Sequence, residues 1–134
     1  MVKSRAIYQG QKHCELIHEP SGSKLETDAP KDNQGKGERF SPTDLVGAAL
    51  TSCTLTTMAI VGERDGLKLE GMHAEVEKIM SSNPRRIESL NLKITMPEHL
   101  SADQREKMEN TAKNCPVALS LSGEMNIPMT FIYE

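Results

Sequence analysis

A chain of 134 residues that is 37% hydrophobic and 26% charged has the make-up of one globular domain, here taken as 1–134, and neither a disordered nor a fibrous one. Its formal net charge of −3, its pI near 5.8 and the absence of a long Lys/Arg run argue against nucleic acid as a partner. With only Phe40, Phe131, Tyr8 and Tyr133 as aromatics and eight Met, the core must be aliphatic, completed by the adaptable Met thioether.

The first residues, Met1-Val2-Lys3-Ser4-Arg5, lack the apolar run of a signal peptide, and nothing approaches ~18 consecutive apolar residues. The expectation is a cytoplasmic protein with no membrane span. Arg5–Tyr8 and Lys12–Glu19 read as two strands around Gln9-Gly10-Gln11, with Cys14, Leu16 and His18 on one face. Ser21-Gly22-Ser23 is a turn, Lys24–Thr27 a third strand, and the polar run Asp28–Glu38 a mobile surface loop.

Ser41 can cap a helix that Pro42 is pre-organised to begin. From Thr43 to Gly62 apolar residues surround nearly the whole cylinder, so this helix belongs at the centre of something. In so short a chain the cover includes a second copy of itself. Asp65-Gly66 ends the helix. Leu67–Ile79 and Ile87–Met96, separated by Asn83-Pro84, alternate as a hairpin of long strands.

Ser101 and Gln104 form a capping box for a helix over Ala102–Asn114 that buries little beyond Ala102, Met108 and Ala112. Cys115-Pro116 opens a short helix to about Leu121, and Gly123 ends it. Met125, Ile127, Met129, Phe131 and Tyr133 alternate in a last strand, with Pro128 on the other parity marking a sheet edge. The order β-β-β-α-β-β-α-α-β is α+β.

Three scattered cysteines in a reducing compartment mean packing or redox chemistry. Cys53 lies mid-helix among apolar residues, where desolvation raises a thiol's pKa and leaves it inert. Cys115, at a helix N-terminus, lies near unsatisfied amides and the positive end of the dipole, which favour thiolate. By these features alone Cys53 is a packing residue and Cys115 only suggestive of function.

Ser41-Pro42-Thr-Asp-Leu-Val-Gly-Ala-Ala-Leu-Thr-Ser-Cys53 resembles the Ser/Asn-Pro-x-Glu-Leu-x-x-Ala-Ala-x-x-x-Cys segment of the OsmC/organic hydroperoxide resistance family. Asn114-Cys115-Pro116-Val117-Ala118-Leu119 is similar to that family's second cysteine segment, and the spacing and element order also agree. The resemblance implies an OsmC-like fold: an intertwined homodimer with long central helices packed against antiparallel sheets. It implies that Cys53 attacks the O–O bond of an organic hydroperoxide and becomes a sulfenic acid, that Cys115 resolves it as a disulfide, and that a dithiol, of lipoyl type in the better-known branch, reduces the pair. No cofactor and no metal are implied.

The family supports its thiolate with an Arg and a Glu that orients it. Here the Glu position is Thr43, and the nearest carboxylate, Asp44, precedes Cys53 by nine helical residues, half a turn out of phase and ~13 Å along the axis. Asp44 therefore cannot directly assist Cys53 of its own chain, although it could serve a partner's; as a first-turn acid it also suits the helix dipole. In place of the Arg of the first hairpin turn stands Lys12, and Arg39 could reach in from the loop. This pattern resembles the OsmC-like branch in which Ser-Pro is followed by a non-acidic residue and then a carboxylate.

Other clusters weigh less. Cys14 and His18 are ~13 Å apart along a strand, so with His13 they make a packed face rather than a metal site. His73, His99, Gly35-Lys36-Gly37 and Arg85-Arg86 have ordinary surface readings. Two functions stay open: a thiol peroxidase acting through Cys53 and Cys115, or a dimer that senses redox state or binds an apolar small molecule without efficient turnover.

Overall fold

Alternating and helical periodicities produce six strands and three helices in the computed structural model, which describes every residue from Met1 to Glu134. The chain divides into two compact units, Met1–Val46 and Gly47–Glu134.

In the first unit β1 (Ser4–Tyr8), β2 (His13–His18) and β3 (Lys24–Asp28) form an antiparallel sheet in that order. The β1–β2 turn holds Gly10, Gln11 and Lys12 at positive φ (87°, 55° and 57°), a conformation that only Gly adopts without steric cost. Tyr8 pairs with Cys14 and Cys14 with Thr27, so β2 is the central strand. Ile7, Tyr8 and Leu25 remain exposed.

The segment after β3 is more structured than its polar composition suggests. It contains a 3₁₀ turn at Lys31–Asn33, and backbone bonds join Ala29 N–H to Lys12, Asp28 N–H to Phe40 and Gly37 N–H to Ala29. Asp28 itself is buried.

Helix α1 (Pro42–Arg64) begins in the first unit and continues into the second. Its start is a reciprocal cap: Asp44 N–H donates to Ser41 Oγ (3.0 Å), and Ser41 N–H donates to the Asp44 carboxylate (2.9 Å). By length and composition α1 could cross a bilayer, a property shared by core helices of soluble proteins. The run Thr43–Gly62 escapes a search for unbroken apolar stretches because Thr, Ser and Gly interrupt it.

In the second unit one stripe of α1, Gly47, Leu50, Thr54, Met58 and Gly62, is buried at three- and four-residue spacing. The glycines permit close approach at both ends. A Cβ on Gly47 would lie 3.4 Å from Leu90 Cδ2, and one on Gly62 only 2.5 Å from Leu69 Cδ1. The strands β4 (His73–Ser81) and β5 (Arg86–Met96) pair antiparallel with an irregularity at Ile79/Met80.

Leu90, Leu92, Ile94 and Met96 of β5, and Met108 and Ala112 of α2 (Ala102–Lys113), are all at most 2% exposed. Each buried large side chain contributes roughly 1.5–3 kcal/mol of hydrophobic stabilisation. Both arms of the Ser101/Gln104 capping box form, and Met108 and Ala112 are the helix's buried positions; Ala102 is exposed. After α3 (Pro116–Ser120), β6 (Met129–Tyr133) pairs parallel with β5 at the sheet edge. The two intervening helices supply the crossover that a parallel pair needs.

Two strands start later than alternation predicts. Leu67–Met72 is held in turns, with Leu67 N–H bonded to Gly62 and Met72 N–H to Leu69. Met125–Pro128 meets β5 through an isolated bridge at Asn126, whose N–H donates to Glu88 and whose carbonyl accepts from Leu90, and through the Pro128 carbonyl, which accepts from Leu92.

Candidate active site

Helix α1 and the start of α3 bring Cys53 and Cys115 together within the second unit. Cys115 occupies the N-cap of α3, where its sulfur accepts from Ala118 N–H at 3.4 Å, and Pro116 at the first helical position needs no such partner. Cys115 is fully buried, Cys53 is half-buried, and both are free thiols. Thr54 Oγ1, also buried, lies 3.7 Å from Cys115 Sγ.

Cys53 departs from the inert thiol that its apolar helix suggests. Burial pushes its pKa up, but hydrogen bonds from the Val117 backbone N–H, from the Thr57 hydroxyl (3.8 Å) and from the Cys115 thiol act the other way and leave it below the ordinary value. The α3 amides that the sequence associates with Cys115 alone thus serve both sulfurs. A half-exposed sulfur ringed by neutral donors, with a second thiol in hydrogen-bonding reach, can act as a nucleophile and then be met by its neighbour.

The remaining candidates belong to the first unit. Arg39 donates through Nε to Glu26 (3.2 Å) and through Nη1 to the Glu38 carbonyl (3.0 Å). The Asp44 carboxylate is engaged by the Ser41 amide. Lys12 sits in the β1–β2 turn, where its backbone N–H donates to Tyr8 Oη at 3.3 Å.

Sequence reasoning missed a charged cluster around His13, whose Nδ1 contacts Asp28 (2.6 Å) and whose Nε2 contacts Glu26 (3.1 Å). Asp28 also accepts from Glu38 N–H. Hydrogen bonding to Asp28, opposed by burial and aided by Glu26, raises the His13 pKa. Arg39 and then His13 lower that of Glu26, and His13 lowers that of Asp28 against burial. These groups flank a cleft of about 270 Å³ lined by Gln9, His13, Asp28, Lys36, Glu38 and Arg39. Thr54, Thr57 and Val117 were missed too, and no local signal marks them.

Comparison with known proteins gives a consistent picture. Residues 35–130 match the family model described as OsmC-like protein. A crystal structure of a candidate osmotic stress induced and detoxification response protein from Psychrobacter arcticus 273-4 superposes with a TM-score of 0.93 at 39% identity, covering 98% of this chain and 96% of that one. An OsmC like protein from Mycoplasma pneumoniae has a TM-score of 0.80 at 17% identity, covering 99% of this chain and 98% of that one. A Legionella pneumophila structure described as an organic hydroperoxide resistance protein OsmC gives 0.76 at 18% identity, covering 98% and 96%. The last two share the fold alone. None of the curated proteins matches the sequence.

Proposed function

Because the chain belongs to the OsmC-like protein family, whose model matches residues 35–130, we propose that it is a thiol-dependent peroxidase that reduces organic hydroperoxides through Cys53 and Cys115. Members of this family have redox and peroxide-related roles and are generally dimeric. The observation that carries the reading is the convergence of the Val117 amide, the Thr57 hydroxyl and the Cys115 thiol on the Cys53 sulfur.

In this reaction the Cys53 sulfur attacks the hydroperoxide, an S–O bond forms as the O–O bond breaks, and the departing alkoxide takes a proton to leave as alcohol. Cys115 then attacks the Cys53 sulfenic acid, water leaves, and a disulfide forms that a dithiol, of lipoyl type, reduces. The working unit is a cytoplasmic homodimer over the whole chain, 1–134. Exposed apolar residues in each unit, Ile7, Tyr8 and Leu25 in the first and Ile60 in the second, support an assembly that covers them.

Arg39, Asp44 and Lys12 are the side chains proposed to support the thiolate, through a partner's helix in the case of Asp44. The bonds of Arg39 to Glu26 and of Asp44 to Ser41 favour a second reading, a dimer that senses redox state or binds an apolar small molecule with little turnover. The two separate in one assay: cumene hydroperoxide is mixed with the protein and dihydrolipoamide. The peroxidase reading predicts continuous catalytic loss of peroxide, and persistence of peroxide with intact dithiol contradicts it.

A further inference from the structure

We propose that two threonines of α1 divide the protons of the cysteine pair: Thr57 donates its hydroxyl hydrogen to Cys53, and Thr54 accepts the thiol hydrogen of Cys115. The proposal rests on the reading of Cys53 and Cys115 as the redox pair. It makes Thr57 and Thr54 positioning residues, acting through the sulfurs.

Thr51, Thr54 and Thr57 follow one another at three-residue spacing. Mid-helix threonines commonly donate to the carbonyl four residues earlier, and two of these do: Thr51 to Gly47 and Thr54 to Leu50, each at 2.8 Å. Thr57 differs. The residue four before it is Cys53, and its hydroxyl is directed at the sulfur, 3.8 Å away.

A hydroxyl carries one hydrogen and two lone pairs. Thr54 has committed its hydrogen to Leu50, so across the 3.7 Å to Cys115 Sγ it can only accept. The Cys115 sulfur also accepts from Ala118 N–H at 3.4 Å, and Cys53 is an alternative acceptor of the one hydrogen that Cys115 carries. Either acceptor, Thr54 or Cys53, requires Cys115 to keep that hydrogen, whereas Val117 N–H and the Thr57 hydroxyl both donate to Cys53. The groups acting on Cys53, from α1 and α3, are all neutral.

The division fits the order of the chemistry. Cys53, supported as the anion, forms the S–O bond as the hydroperoxide O–O bond breaks. When Cys115 next forms the S–S bond, the Cys53 S–O bond breaks, and the hydrogen that Thr54 had accepted leaves with the hydroxyl as water. No further oxidant or reductant is needed for that step.

The test uses the reduced full-length protein without hydroperoxide. Alkylation by iodoacetamide is followed from about pH 5 to 10, with Cys53 identified by peptide mass. Thr57→Val should slow Cys53 alkylation at neutral pH by roughly three- to tenfold and move its midpoint upward, and Thr57→Ser should restore both. An unchanged midpoint in Thr57→Val, or a Ser variant that behaves like Val, overturns the Thr57 assignment; Thr57→Ala serves if the Val variant does not fold.

For Thr54, the infrared S–H stretching band of Cys115 is recorded in a Cys14→Ser background. Thr54→Val should move it to higher wavenumber and Thr54→Ser should leave it in place, while no movement in either overturns that half. A protein that shows both effects yet consumes no hydroperoxide overturns the peroxidase reading and retains the proton assignment.

Discussion

The two units hold their polar groups in opposite ways. In Met1–Val46 the carboxylates of Asp28 and Glu26 are matched by His13 and Arg39, and these charges tie β2, β3 and the following loop to one another. In Gly47–Glu134 the cysteine pair is surrounded by hydroxyls, a thiol and backbone N–H groups. In the first unit formal charge goes into local structure, whereas the groups that act on the Cys53 sulfur within the second unit are neutral donors. A neutral donor lowers a thiol's pKa less than an adjacent guanidinium would, but it needs no counter-ion and withstands salt.

The sharpest separation comes from removing sulfurs. Cys53→Ser should eliminate hydroperoxide consumption, while Cys115→Ser should still oxidise once at Cys53 and stop at a sulfenic acid that a dimedone label captures. Loss of labelling in Cys115→Ser would break the assignment of roles. The next largest effect lies in the packing that positions α1. Gly62→Ala forces a methyl to within 2.5 Å of Leu69 Cδ1. It should cost about 1–3 kcal/mol by urea unfolding. Substitution without loss would mean that the close approach is absent in solution.

Ser101→Ala, which removes one arm of the α2 capping box, should cost about 0.5–2 kcal/mol and leave Cys53 alkylation unchanged. The smallest effect is a pH signature of the first unit. His13 titrates above its ordinary value of 6.5 in the folded chain, so its contribution is complete below 6.5 and fades as pH rises through the folded value. Asp28 and Glu26 titrate below their ordinary 3.8 and 4.5, so theirs is complete above those values and fades on acidification. Melting temperature should therefore peak between about pH 4.5 and 6.5. His13→Gln should flatten the decline on the alkaline side, and an unchanged profile would remove the cluster from the comparison.

Much of the fold was legible because it rests on local rules. The Ser41-Pro42 and Ser101/Gln104 starts, the β4–β5 hairpin and the edge position of β6 all follow from short-range chemistry. What failed depends on distant partners. Leu67 and Leu69 alternate with polar residues like a strand, yet Leu69 is buried where Gly62 leaves room. Asp28–Glu38 has the composition of a mobile loop, but Asp28 finds His13 fifteen residues earlier.

At the site, the family motifs pointed to Cys53 and Cys115, while the desolvation argument gave only one of the opposing effects on the Cys53 pKa. It counted the apolar helix and could not foresee Val117 and Cys115 arriving from α3. Thr57 was equally hidden, since a helical threonine's hydroxyl is assigned by default to the backbone.

The central claim is that Cys53 and Cys115 are close enough to bridge once one of them is oxidised. One equivalent of cumene hydroperoxide added to the reduced protein, followed by intact mass and peptide mapping without reductant, tests it directly. Loss of two hydrogens with a peptide joining Cys53 to Cys115 is the predicted result. Both thiols left free, or Cys53 gaining oxygen atoms with Cys115 still free, would contradict it.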